Sequence, residues 1–322
     1  MAIDYTYASA RIMALEAGLL TQSQVELLIS SKGLKEFQSA VYDTWFAAHL
    51  KRDDAIDMER TIERALEHTK SVLCSIVPDQ RVTDMLWIKY DYHNLMAIAK
   101  GIRANTTNEA ILHTCYTIGT YDPEALLTWV HDETLNTHAP HLAPHYQQAS
   151  RTRTTVDADT IFDRAYFAHL LTLAQSSKDE FALRYARALI DMHNIKMLAR
   201  IHTHPGLTNN ATFVPGGTVE QTTLDDPVLP GRYERYGGVT QWKHAIQQVL
   251  TNAAVASLEK VADDALTQWI KLRSMARDDA ADVLSYFHAV KNNAQIVSAI
   301  YKAKRSGMPE RALRTALRSL YV

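Results

Sequence analysis

At 322 residues the chain is too long for one ordinary helical core and implies two or three domains. Its 34 Lys and Arg nearly balance 36 Asp and Glu, for a formal net charge of −2, which removes any global electrostatic reason to expect nucleic-acid binding. Two scattered cysteines, Cys74 and Cys115, neither in a CxxC nor in a zinc spacing, fit a reduced cytoplasmic protein, and no stretch approaches the roughly 20 apolar residues that span a bilayer.

The opening "MAIDYTYASARIMALEAGLL" does not read as a signal peptide, because Asp4, Arg11 and Glu16 interrupt any apolar run. Instead its pattern predicts a helix over 7–20, followed by helices over 22–30, 54–77, 82–103 and 123–136. A break follows at "THAPHLAPHY" (137–146), then helices over 158–175 and 179–202. The stretch 204–238 holds "HPG", "VPGG", "DDPVLPG" and "YGG" and reads as loop. Helices over 240–273, 277–306 and 309–320 complete the chain. Thr21 and the Asp122-Pro123 pair sit where an N-cap and a first-turn proline belong. With no sustained period-2 alternation, the expected fold is all-α.

The chain repeats itself. "YDYHNLMAIAKG" (90–101) and "LIDMHNIKMLAR" (189–200) share an Asp-x-His-Asn core, and Asp91 and Asp191, His93 and His193, Asn94 and Asn194 each stand 100 residues apart. Upstream, "YTYASARIMALEAGLLTQSQVELLISS" and "DTIFDRAYFAHLLTLAQSS" share a Tyr/Arg-bearing helix with a Leu-Leu step, and "TQWIKLRSM" is a more diverged third version. Each unit climbs to a long helix. The third, "AVKNNAQIVSAIYKAK", reads as having lost the His-Asn pair. Repetition of this kind speaks first about architecture.

Around His93 and Asn94, apolar residues from Leu86 to Ala99 cover nearly every helical face, so both polar groups are interior and need hydrogen-bond partners. A catalytic histidine also needs a nucleophile or carboxylate converging on an open pocket. With each copy inside its own unit, the residues favour a structural tie over catalysis. The histidine-bearing loop His131, His138, His141, His145 has plausible metal-ligand steps. An enzyme of the metal-assisted hydrolase class would use it. Pro140 and Pro144, and the lack of any HExxH or acidic triad, favour an exposed linker instead. No nucleotide-binding glycine loop or nucleophile elbow appears, and no cofactor is implied. In the basic stretch "YKAKRSGMPERALRTALRSLYV", Arg311, Arg314 and Arg318 fall at helical spacing, either as a solvated face or as a surface for an acidic partner.

Seven stretches, taken in order, resemble one known family. They are "YASARIMALEAGLLTQSQVELL" (7–28), "YDYHNLMAIAKG" (90–101), "PHYQQA" (144–149), "DRAYFAHLLTLA" (163–174), "RYARALIDMHNIKMLARI" (184–201), "FVPGG" (213–217) and "GMPERALRTALRSLYV" (307–322). The family is that of the C subunits of bacterial and archaeal V/A-type rotary ATPases (ATP synthases), whose counterpart in the eukaryotic vacuolar enzyme is the d subunit. The resemblance implies three similar helical domains, here 1–107, 108–206 and 207–322, in a funnel-like pseudo-threefold arrangement. It implies a non-catalytic rotor part that caps the membrane ring of ion-binding subunits and seats the soluble central shaft. Such a protein is peripheral on the cytoplasmic face, without inserting into the membrane. On that reading Asp91, His93, Asn94, Asp191, His193 and Asn194 are the signature of the domain repeat, and Arg311, Arg314 and Arg318 are candidates for partner binding. The third long helix departs from the family pattern in being more neutral and basic.

Overall fold

The computed structural model describes residues 3–50, 57–152, 154–204, 213–273 and 279–321, and among these every regular element is a helix. The helices are α1 Thr6–Glu16, α2 Gln22–Ser30, α3 Leu34–Val41, α4 Met58–Ile76, α5 Gln80–Arg103, α6 Asn108–Leu112, α7 Pro123–His131 and α8 Leu135–His138. They continue with α9 Ala143–Ser150, α10 Thr155–Ser177, α11 Glu180–Thr203, α12 Leu229–Arg232, α13 Val239–Asn252, α14 Val255–Arg273, α15 Ala280–Ser306 and α16 Glu310–Ala316. Short 3-10 turns occur at Trp45–His49 and Glu234–Tyr236. No described helix is long and apolar enough to cross a membrane.

Helix starts follow local chemistry. Thr21 and Gln24 form a reciprocal capping box at α2, with the Gln24 amide donating to Thr21 Oγ1 and the Thr21 amide to Gln24 Oε1. Asp57, Asp79, Asp122, Thr154, Asp179 and Asp279 cap α4, α5, α7, α10, α11 and α15 through side-chain oxygens. Two long helices expected from periodicity are each divided. The 240–273 stretch breaks where Ala253 takes φ 53°, and the 123–136 stretch breaks at Glu133, φ 58°. Both are left-handed positions filled without glycine, so no residue type announced them. The expected helix over 309–320 ends at Ala316, and Leu317 continues in extended backbone. The starts expected at 54 and 277 lie outside the described residues.

The contacts divide into two compact units, one formed by residues 1–78 with 222–322 and the other by 79–221. In the first, α15 is the axis. Eighteen of its residues, spread over every face, are buried, as suits a helix enclosed on all sides. Leu20, Leu28, Phe37, Val41, Phe46 and Met58 share one core with Ile296, Val297, Ile300 and Leu313. Phe37 and Tyr301 pack with ring centroids 5.9 Å apart. Lys304 of α15 donates its ammonium to the carbonyls of Ile29 and Ser31 (2.6 Å to the latter), satisfying acceptors that the end of α2 leaves open. In the second unit α10 lies along α5 and also touches α9 and α11, while α5 receives α6, α7 and α9. Trp87, Leu95, Ile98, Leu170, Ile190 and Ile195 are among its most buried side chains.

Candidate functional site

The repeated polar residues fasten loops. Asn94 is fully buried on α5. Its Nδ2 donates to the Tyr116 carbonyl and its Oδ1 accepts the Tyr116 amide, both at 2.8 Å. Asn194 on α11 does the same to Val214, at 2.8 and 2.9 Å. One primary amide thus stands in for a neighbouring strand, satisfying the donor and acceptor of a single loop residue.

The aspartates one helical turn earlier hold the next part of each loop. Asp91 Oδ1 accepts the Tyr121 amide at 3.0 Å. Asp191 accepts the amides of Thr218 and Val219 at 2.8 and 3.0 Å, and the Thr218 hydroxyl as well. The loops approach so closely that side chains are excluded. A Cβ on Gly119 would stand 2.5 Å from Asp91 Oδ1, and one on Gly217 would stand 2.2 Å from Asp191 Oδ1. Gly216 beside it has φ +100°, and a Cβ there would meet Leu171 Cδ1 at 2.3 Å. The "TIG" and "PGG" glycines are therefore the counterparts of the two carboxylates.

The histidines of the motif pack rather than converge. His93 lies against Tyr116 with centroids 4.8 Å apart, and His193 lies against Phe167 at 4.8 Å. Burial is the main force holding both below the ordinary histidine range. A hydrogen bond to Thr114 opposes it at His93, while Arg200, Lys196 and Lys89 add to it at His193, which falls to about 4. No nucleophile is placed against either ring among the described contacts.

A third clamp exists that the sequence alone did not reveal. Asn292 of α15 donates from Nδ2 to the Ser319 carbonyl at 3.0 Å, and its Oδ1 accepts the Tyr321 amide at 3.1 Å. The third long helix has therefore kept the asparagine of the pair, contrary to the expectation that both were lost. Lys291 stands where histidine precedes Asn94 and Asn194, and Ala289 stands at the aspartate position. That change of neighbours concealed the match, although Asn292 follows Asn194 by 98 residues. In place of the aspartate, α14 supplies Asp264 to the Ser319 amide (2.6 Å) and Lys260 to the Leu317 carbonyl.

The basic residues at 311–318 do not form one helical stripe. Arg311 is exposed on α16. Arg314 pairs with Glu26 of α2 at 2.7 Å and with Glu310 at 2.8 Å. Arg318 lies beyond the helix and pairs with Asp263 of α14 at 2.8 Å. Two of the three guanidiniums thus tie α16 and the segment after it to their own unit. Replacing Arg314 with glutamine is expected to leave the thermal midpoint where it is, because exposed pairs are screened. A clear fall in a melting curve would show that the pair is worth more than its exposure suggests.

The loop histidines each find their own partners. His131 faces Asn108, His138 stacks on Trp129 at 4.6 Å, His141 meets Tyr121 and His169, and His145 lies against Tyr92. Among the described residues no group of three or more His, Cys, Asp or Glu is placed to hold a metal ion.

Sequence reading also passed over Asp163 on α10. Burial first, then the adjacent Asp159, raise its carboxyl to about 6, against the pull of Lys89, Arg200 and Lys100. Because its folded value lies above its unfolded one, the cost of ionising it grows as pH rises from about 4 to 6 and is complete above that. Asp163→Asn should therefore raise stability at pH 7.5 by about 2 kcal/mol and lose that advantage at pH 4, as urea unfolding at the two pH values will measure.

The chain has relatives among known proteins. A family model described as ATP synthase (C/AC39) subunit matches residues 8–316. The chain is 29% identical over 231 residues to the C subunit of the A-type ATP synthase of Thermococcus gammatolerans, covering 68% of this chain and 63% of that protein. It is 26% identical over 235 residues to the C subunit of the V-type ATP synthase of Deinococcus radiodurans, covering 67% and 65%. With the A-type C subunit of Pyrococcus horikoshii it shares 25% over 285 residues, covering 83% and 76%. The first two matches span less than two thirds of those relatives' own length.

Proposed function

Because the chain belongs to the ATP synthase (C/AC39) subunit family, we propose that it is a non-catalytic rotor subunit of a V/A-type rotary ATPase. In this reading it joins the soluble central shaft to the membrane ring of ion-binding subunits and passes torque between them. It works on the cytoplasmic face, held to the membrane through the complex. The observation that carries the reading is a family match running from residue 8 to residue 316.

Torque can cross a protein only if its parts do not yield. Close-packed interiors have low compressibility and transmit strain. The clamps of Asn94, Asn194 and Asn292 serve that need, because each pins a segment onto a long helix by two hydrogen bonds from one side chain. They also support an arrangement of three similar domains, 1–107, 108–206 and 207–322, about a pseudo-threefold axis in a funnel. Arg311, and Arg314 and Arg318 when exchanged from their internal pairs, offer positive charge to an acidic surface of the shaft or ring.

The test is capture from native membranes. A tagged full chain should bring down the soluble shaft and ring subunits of a rotary ATPase, and the reading fails if it repeatedly purifies alone from membranes that contain the complex. The triple variant Arg311→Gln, Arg314→Gln, Arg318→Gln should fold, assemble more weakly, and reduce ion pumping. ATP hydrolysis by the detached soluble sector should be unaffected. If the triple variant assembles and pumps like the parent across a salt series, the arginines take no part in partner binding.

A further inference from the structure

His141, His145 and His169 come together where the segment bearing α8 and α9 crosses α10 and α5. His141, in the turn between α8 and α9, meets His169 edge-on with centroids 4.9 Å apart. Tyr92 of α5 lies 6.1 Å from both His145 and His169, and its hydroxyl stands 3.4 Å from His169 Nδ1. Tyr121 covers His141 at 5.8 Å. His141 and His169 are thus in ring contact, and His145 joins them through Tyr92; His141 is the exposed member, and His145 and His169 are partly buried.

The groups around this contact do little to steady added positive charge. From α5 come Tyr92 and, at the far end of α9, Arg103. From α10 comes Tyr166, with Tyr185 of α11 beside it, and α9 itself adds Tyr146. The carboxylates that act on these surrounding tyrosines are Asp84 and Asp91 of α5, on Tyr121, with Asp91 also on Tyr92, and Asp163 of α10, on Tyr166; Asp91 is already engaged by the loop at Tyr121. Burial, and then the charges on His141 and His145, hold His169 down at about 4. Burial likewise lowers His141, which feels His145 in addition, and His145 itself. Detached, all three would protonate near 6.5.

The apolar hold on the segment is slight. Ala139, Leu142, Ala143 and Ala149 are its buried residues from the turn through α9, three of them alanines, whereas α10 buries Phe162, Ala165, Tyr166, Phe167 and Leu170. The far end is fixed differently, by Arg103 donating to the Ala149 carbonyl at 2.8 Å and to Thr152 Oγ1 at 3.2 Å. A guanidinium keeps its charge throughout the physiological range. We propose that this cluster of His141, His145 and His169 around Tyr92 is an acid-released latch, which lets residues 139–146 swing away from α5 and α10 about the Arg103 anchor while α5 and α10 stay paired. The surface uncovered is that of Tyr92 and His169.

Linkage gives the sign. The bound segment keeps its histidines neutral below the pH at which a free segment would charge them. Its hold therefore weakens as pH falls from about 6.5 toward 4. The experiment is amide hydrogen exchange of the full chain at pH 7 and pH 5, corrected for intrinsic rates. The amides of Leu142, Ala143, His145 and Tyr146, which bond to Ala139 and Leu142 carbonyls within the segment, report the latch because so short a turn frays once its packing on α5 and α10 is lost. Their protection should fall at least about tenfold at pH 5, with α5 and α11 unchanged. His169→Gln and His141→Gln should each suppress the fall. If His169→Gln does not fold, His141→Gln decides. The proposal is overturned if these amides keep their protection at pH 5, if they lose it in step with α5 and α11, or if a folded variant shows the same fall as the parent.

Discussion

Asn194→Ala is expected to lower the unfolding free energy by about 3 kcal/mol. The substitution removes both hydrogen bonds to Val214 and strands a backbone amide and carbonyl at a residue only 1% exposed. Leaving a buried donor or acceptor unsatisfied costs about 1–3 kcal/mol each, more than the bond itself contributes. Asn94→Ala should behave alike, reduced by whatever water reaches Tyr116, whose side chain is exposed. Asn292→Ala should cost less, about 1 kcal/mol, because Lys260 and Asp264 continue to hold the neighbouring segment. Gly217→Ala belongs in the same series, since its Cβ would drive Asp191 off the loop. Denaturant midpoints across these variants give the ranking, and an Asn194→Ala protein within 0.5 kcal/mol of the parent (about the effect of an ordinary surface change) would remove the clamp from any account of stability.

The second large effect is acid sensitivity through His193. Its folded value of about 4 lies below the ordinary histidine value, so the native state refuses a proton that the unfolded chain accepts. Stability from this group is complete above pH 6.5 and is lost as pH falls toward 4, by as much as about 3 kcal/mol. Asp163 titrates with the opposite sign over part of that window and offsets some of the loss. His193→Gln, which cannot charge, should flatten the dependence. Urea midpoints measured from pH 7 to pH 4.5 should fall further in the parent than in the variant, so that the difference between them shifts in the variant's favour at the acid end. Parallel curves would mean that His193 is charged in the folded protein.

The long helices were plain in the sequence because caps and apolar periodicity agree there. Thr21 opens α2, Asp179 opens α11, and the apolar run about His93 encloses α5. Shorter elements, α3, α6 and α9, carry too few turns to show a period. The division at Ala253 was hidden because alanine is the strongest helix former, and here the surrounding structure overrides its preference. At the clamps, the polar residues on the helices were visible but their targets were not. Nothing local says that Asn94 will meet Tyr116 or that Asp191 will meet Thr218. Pairs such as Arg314 with Glu26 join residues 288 positions apart and exist only once the chain has folded.

That separation has a consequence for how the molecule is made. The core that joins Leu20, Leu28 and Phe37 to Val297, Ile300 and Leu313 cannot close until α15 and α16 have left the ribosome. Residues 79–221 contain all of their own unit and are free to fold during synthesis. The first 78 residues must wait through roughly two hundred more, at about 5–20 residues per second, with α2 and α3 lacking their partner and Lys304 not yet present to receive the end of α2. Residues 1–78 are thus finished only after residues made much later, and during that interval their apolar faces are the stretch most in need of a chaperone.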